Sequence, residues 1–431
     1  MLLRSFHKPN SANPQRSQRM ADLNQRMASN HVPLSDSQPR HHVDYILLYV
    51  VALLTLIGLI SVLSASAHVA QSQIGDASFY FKKQLTGVVA GVIALVIGLR
   101  LDLYRLPRWI KLMMGGTILL VVCTHLPVVG VTVNGSSNWV NFLGFRFQPS
   151  ELSKPVLAIY LAAILGHPLF ARLDLRAKAT VLIPPTALLF LILKQPDLGM
   201  ATVLCLSMLM IYFAAGTAMW KVFGVIGAGL AGFLLLSVST PYQWARIEFW
   251  LNPWAEPQGK GFQLIQSMIA IGSGGPLGTG YGQSVQKLFY LPEQHTDFIF
   301  SVIAEEFGFL GVLLILLLFA ILTQRGIMIA CKSPTPYLKL LATGLSCTVA
   351  LQAFINLAVV SGVLPTTGLT LPFISYGSTS LVVTLGSMGL LLNISRYIPA
   401  PFRQTHQPEI SPNSFGTLAP LEPRADSGVE S

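Results

Sequence analysis

The stretch HTDFIFSVIAEEFGFLG, residues 295–311, places Asp297 two positions after His295 and at the head of a long apolar run. Such a run is a helix buried either in a protein core or in a bilayer. Composition decides between them. The 431-residue chain is 52% hydrophobic and only 11% charged, against roughly 25% charge in soluble domains. The implied solvent is hydrocarbon. Residues 297–322 then form one transmembrane helix, and the runs 45–67, 82–100, 107–126, 150–169, 179–194, 197–215, 218–238, 338–361 and 373–397 bring the set to ten. Each is near the ~20 residues that cross ~30 Å of hydrocarbon. The expected fold is an all-α polytopic membrane protein of about ten transmembrane helices, with a large outward-facing loop, 239–296, between helices seven and eight.

The flanks differ in kind. Residues 1–44 and 398–431 are polar, rich in Pro, Ser, Asn and Gln, and lack apolar periodicity, so both read as disordered tails around a membrane domain at 45–397. Neither has the pattern of a cleaved signal peptide. An even number of spans puts both tails on one side, and that side collects 20 of the 28 Lys and Arg residues. Cytoplasmic loops carry the positive excess, which makes both termini cytoplasmic. The net charge of +10 then reflects topology and attraction to anionic membrane lipid, and nucleic acid is not an expected partner. Cys123, Cys205, Cys331 and Cys347 have no C-x-x-C spacing, and the nine histidines include no H-E-x-x-H. Neither a disulfide framework nor a structural metal site is implied.

The outward loop is too apolar to be a solvated linker. It holds Trp244, Phe249, Trp250, Trp254, Phe262, Leu264 and Ile265, and Trp favours the membrane interface. Residues 262–271 are expected to form a short interfacial helix. The following GSGGPLGTGYGQ, residues 272–283, is no Walker A loop, because no G-K-[ST] follows. It is either a tight irregular turn or a backbone surface for a polar headgroup.

On a 3.6-residue period Asp297 shares a face with Ser301, Ala304, Glu305, Gly308 and Gly311. Charged groups in spans usually mark function, whereas an aspartate at a helix start can simply cap its free N–H groups. Both readings stand. Glu305 and Glu306 are eight and nine positions further on, about 12 Å deeper for Glu305, too far to share a proton with Asp297. They are expected to pair with a buried cation or to hold the bundle together. Elsewhere on the outer side, NGSSNWVNFLGFRFQPSELSK (134–154) carries Trp139, Arg146, Glu151 and Lys154. Glu151 and Lys154 have the spacing of a helical ion pair; a phosphate site is the alternative. KQPDLG (194–199) reads as a hairpin with Asp197 capping the next helix. GVLPTTGLTLPFISYGSTS (362–380) is a Pro- and Gly-broken entry to the last span, tolerated only where backbone lines protein or water.

These motifs, with LPEQHTDFIFSVIAEEFGFLG and NPWAEPQGKGFQLIQSMIAIGSGGPLGTGYGQS, resemble the SEDS family of shape, elongation, division and sporulation proteins over residues 45–397. The long polar N-terminal tail and the wording of the motifs are most similar to the division branch. The resemblance implies a peptidoglycan glycosyltransferase in the bacterial inner membrane, at the division septum, polymerising lipid II on the outer face. It implies Asp297 as catalytic general base, since the acceptor hydroxyl must lose a proton as it attacks. The substrate-binding candidates are Trp139, Arg146, Lys154, Arg246, Lys287, His295 and Thr296, with the basic ones facing the pyrophosphate leaving group. Glu151, Asp197, Glu305 and Glu306 are structural or coupling candidates. No cofactor is required, though Mg²⁺ or Mn²⁺ is a candidate to share the phosphate charge. The implied partners are a monofunctional class B penicillin-binding transpeptidase and other divisome membrane proteins. Two positions depart from the family's wording: Asn138 stands where a basic residue is common, and Ser378 where a second glycine is. A lipid II flippase and a non-catalytic divisome scaffold are the rival readings.

Overall fold

The computed structural model describes residues 41–398, apart from 127–128, 134–135, 143–144, 173, 289–290, 293 and most of 218–240. Both expected tails and the expected seventh span therefore lie almost wholly outside the described residues. The elements in order are α1 (Tyr45–Ile74), α2 (Phe79–Arg100), α3 (Leu106–Cys123), β1 (Gly130–Val133), β2 (Ser136–Phe142), β3 (Phe145–Phe147), α4 (Pro149–Leu165), α5 (Leu175–Leu193), α6 (Leu198–Ala214), α7 (Pro241–Leu251), α8 (Phe262–Ser273), α9 (Ile299–Lys332), α10 (Pro336–Val360) and α11 (Ser378–Ser395). Among the described residues, seven helices are long and apolar enough to cross a membrane. At 17 residues each, α4 and α6 are shorter and pack against α10. The fold is helical, with one small sheet: β1, β2 and β3 run antiparallel, pairing Val131 with Trp139 and Asn141 with Arg146 before α4 begins.

Helix ends follow their sequences. Asp44 caps α1 by accepting from the Leu47 amide at 3.0 Å, and Gly75 closes that helix in the left-handed region. Thr335 caps α10 ahead of Pro336, a residue that suits a first turn because its missing N–H needs no partner. The Asp44 carboxylate also pairs with Arg325 of α9 at 2.8 Å, its amide donates to Ser395 Oγ, and the His41 amide donates to the Arg396 carbonyl. This knot marks one end of the bundle. His295, Asp297 and Tyr376 lie at the other.

Lipid tails are as apolar as leucine, so helices in a bilayer associate through close packing and hydrogen bonds. The α2–α11 contact uses both. Gly87, Gly91 and Gly98 are buried on α2, and a Cβ at Gly98 would lie 2.7 Å from the Gly386 carbonyl oxygen. Polar clasps close the two ends: Gln84 bonds the Ser375 carbonyl at 3.0 Å, and Asn393 bonds the Gly98 and Leu101 carbonyls at 3.0 and 2.6 Å.

Part of the expected outward loop packs into the bundle. Tyr281 Oη donates to the Ile60 carbonyl, Lys287 Nζ to Ser64 Oγ and Gln294 Nε2 to the Ala65 carbonyl. Ile60 lies midway along α1, about 22 Å from its start at 1.5 Å per residue. Irregular backbone at that depth must find internal partners, and here α9 supplies them. At Gly308 (φ 63°, ψ −160°) α9 is broken. The Thr279 and Gly280 amides donate to the Glu305 and Glu306 carbonyls, while the Phe309 and Leu310 amides donate to Gly275 and Pro276. The glycine stretch thus takes over the bonds a continuous helix would make. Two of its glycines face the backbone of α9: a Cβ at Gly274 would lie 2.0 Å from the Ala304 carbonyl oxygen and one at Gly278 2.1 Å from that of Glu306. The single helical face drawn through Gly308 to Gly311 is interrupted by this break. The expected short helix at 262–271 is α8, which packs on α9 through a 2.7 Å Ser267–Ser301 hydroxyl contact.

Candidate active site

Asp297 stands just outside α9, whose N-cap is Phe298 with no side-chain cap bond. Its carboxylate is half-buried and rests against Gly368, with Oδ2 3.8 Å from the point a Cβ there would occupy. Gly368 is exposed and adopts φ +73°. Asn356 of α10 joins the two segments, donating to the Asp297 carbonyl at 2.8 Å and to the Leu369 carbonyl at 2.6 Å.

Residues 362–377 contain no helix or strand, so side chains from the surrounding helices must satisfy their backbone. Trp250 donates to the Gly362 carbonyl, Arg246 to Thr366, Gln352 to Thr370 and Gln84 to Ser375. The Tyr376 amide donates to the His295 carbonyl at 2.9 Å, and the His295 ring packs 4.6 Å from Tyr80 and 5.6 Å from Tyr376. His295 therefore helps to anchor the strap beside Asp297. Thr296 is half-buried between them in sequence.

The other candidates separate clearly. Lys154 is buried, pairs with Glu151 at 2.5 Å and donates to Gln352 Oε1 at 2.7 Å. Lys287 is buried and pairs with Glu306 at 2.7 Å, while Ser64 donates to the same glutamate oxygen. That closes Lys287 off from a pyrophosphate and makes it the buried cation expected opposite the glutamates. Glu305 has a different set of partners: it accepts from Ser284 Oγ and from the Val285 amide at 2.9 Å. Asp197 caps α6 through the Met200 amide at 3.0 Å and accepts from Asn138 at 3.2 Å and Gln148 at 3.3 Å. Asn138, where the family's wording has a base, thus has a structural partner.

Alternation along β2 sends Trp139 to the face opposite Asn138. Arg146, paired with Asn141, is exposed on that same outer face. Sequence reasoning passed over Asn356, Gln352, Gln84 and Tyr80. Gln352 and Asn356 lay in plain view as an i, i+4 polar pair inside an otherwise apolar span. Among the described residues no group of three His, Cys, Asp or Glu side chains could hold a metal ion. A cation held mainly by substrate phosphates, with one or two carboxylates, needs no such group.

A polytopic bundle with a half-exposed carboxylate at one mouth, framed by a strapped irregular segment, defines a membrane protein built to handle a substrate at the bilayer surface. The chain belongs to the FtsW/RodA/SpoVE family, described as cell cycle protein, whose model matches residues 44–399. It is 42% identical to stage V sporulation protein E of Bacillus subtilis over 82% of this chain and 97% of that one. It is 39% identical to a probable peptidoglycan glycosyltransferase FtsW of Geobacter sp. strain M18, over 82% and 96%. Among solved structures, a peptidoglycan synthase complex described as coordinating polymerization and crosslinking matches with a TM-score of 0.67 at 31% identity, covering 82% of this chain and 98% of that one.

Proposed function

We propose that the protein polymerises lipid II into glycan strands at the outer face of the cytoplasmic membrane during division, with Asp297 as general base. One observation carries the assignment. Of Glu151, Asp197, Asp297, Glu305 and Glu306, only Asp297 is not buried. The acceptor hydroxyl attacks the anomeric carbon of the donor sugar, the bond to the polyprenyl pyrophosphate breaks, and the carboxylate takes the proton released. That requires Asp297 within about 3 Å of the hydroxyl. Exposed Arg146 is the available cation of the 134–154 motif, on the sheet face it shares with Trp139.

The positive-inside bias supports cytoplasmic termini and an outward Asp297 mouth. The relatives named as glycosyltransferases support the chemistry, and the synthase complex supports a cross-linking transpeptidase as partner. The flippase reading drew on Glu305 and Glu306, and both are closed into local bonds with Ser284, Val285, Lys287 and Ser64.

The test is Asp297→Asn, purified with its transpeptidase partner and given lipid II. The amide keeps the shape but is a very poor base, so polymerisation should fall by roughly 10² to 10⁴ while lipid II binding persists. Near wild-type polymerisation would remove the base assignment. Translocation of labelled lipid II in liposomes without any polymer would replace the enzyme by a flippase.

A further inference from the structure

We infer that Asp197 and Arg246 are positioning residues for the Asp297 carboxylate, acting by fixing the backbone at Thr366–Gly368 on which that carboxylate rests. The inference depends on the assignment of Asp297 as base. Arg246 Nη1 donates to the Thr366 carbonyl at 3.0 Å, two residues before the exposed Gly368. Asp197 caps α6 through the Met200 amide at 3.0 Å and accepts from Asn138 and Gln148 on its other oxygen. Gly199, in the first turn of the helix that Asp197 caps, abuts the same segment. A Cβ there would lie 2.8 Å from the Thr367 carbonyl oxygen and 2.7 Å from Leu369 Cγ. Asp197 thus holds one jaw of the clamp, the N-terminus of α6, and Arg246 is the other.

Physical chemistry favours this pair for the task. A guanidinium bond to a carbonyl is charge-assisted and stronger than a neutral one, and the planar fork gives it a fixed direction. Gly368, exposed at φ +73°, has no side chain for the core to grip, so its position depends on how the backbone around it is held. An error of about 1 Å at the reacting group is worth up to about 10² in rate.

The experiment uses the full chain with its transpeptidase partner and measures steady-state lipid II polymerisation for Arg246→Ala, Arg246→Lys and Asp197→Asn. Arg246→Ala should lower kcat roughly 10- to 100-fold with KM within about twofold, and Arg246→Lys should recover part of the loss because an ammonium can still reach the carbonyl. Asp197→Asn keeps an acceptor for the Met200 amide but sets an NH2 group against the Asn138 and Gln148 donors, and should lower kcat about tenfold at unchanged KM. Backbone hydrogen exchange over 364–372 should rise in Arg246→Ala and Asp197→Asn, in protein that elutes and melts like wild type. A raised KM with unchanged kcat would make Arg246 a phosphate contact and overturn the inference, as would unaltered exchange over 364–372. Should Asp297→Asn remain active, the base assignment fails; the exchange measurement still decides whether the clamp exists.

Discussion

Replacing Gly308 by alanine tests the joint in α9 with a single methyl group. At φ 63° and ψ −160° the position lies in a region nearly confined to glycine, so any side chain there costs about 1–3 kcal/mol. The added Cβ would also sit 2.3 Å from the Gly278 nitrogen and 2.8 Å from the Gly275 carbonyl oxygen, and the loop must retreat to relieve it. Retreat breaks at least two of the four bonds exchanged between 275–280 and α9, at about 0.5–1.5 kcal/mol each. The total, about 2–6 kcal/mol, is a large part of the ~5–15 kcal/mol that typically separates folded from unfolded. Gly272→Ala is the matched control. That residue is exposed within α8 with nothing near its would-be Cβ, and alanine there should be neutral or stabilising by up to about 1 kcal/mol. Thermal melting in detergent, followed by size-exclusion of the surviving fraction, should show Gly308→Ala several degrees below wild type and Gly272→Ala at or above it. A Gly308→Ala protein that melts with wild type would mean that the break is not held by the glycine loop.

Lys287→Met should destabilise by about 3–5 kcal/mol, because it strands the Glu306 charge among buried groups; adding Glu306→Gln to it should recover most of the loss, measured by the same melt, and failure of the double variant to recover would point to packing instead. Asp76, in the turn between α1 and α2, has its carboxyl held down to about 2 by the Lys82 ammonium and by Ser78. A depressed folded value contributes stability above the unfolded value near 3.9 and loses it as pH falls through about 2. The melting difference between wild type and Asp76→Asn should therefore be the same at pH 7 and pH 5, and a difference that shrinks between those values would contradict it. Asn393→Leu should loosen the α2–α11 clasp, leaving the Gly98 and Leu101 carbonyls without their donor at about 1–3 kcal/mol each.

The spans were legible because bilayer solvent forces a long apolar run whatever the tertiary detail. The start of α6 was legible too, since Asp197 is an ordinary cap residue. What could not be read is where irregular backbone goes. A glycine-rich stretch has the same composition whether it lies outside the membrane or threads into a helix break, and only the partners of its amides distinguish the two. The partners of the buried cations were legible only in part. Lys287 and Lys154 look alike in sequence as outward-side cations, and each has a buried carboxylate within reach. Glu151 and Lys154, three apart on one helix, announced themselves, whereas Lys287 meets Glu306 across a loop–helix contact that spacing does not reveal.

The two irregular segments obey one rule, and it reaches the reacting group. Backbone that is not helical at membrane depth must be bonded by something else. For 274–287 the partners are the broken turn of α9 and the side chain of Glu305; for 362–377 they are side chains of α2, α7 and α10. Asp297 heads the half of α9 that runs to the first segment and lies beside the second. Its own backbone precedes the half of α9 whose direction is set by the break at Gly308, and its carboxylate faces the strap that Arg246 and Asn356 hold. A carboxylate on a loop between two rigid anchors keeps a fixed aim without being buried. On the proposed assignment of Asp297 as base, the buried glutamates bear on catalysis from a distance: they hold the half-helix that Asp297 precedes, and Glu305→Gln should disturb stability before chemistry.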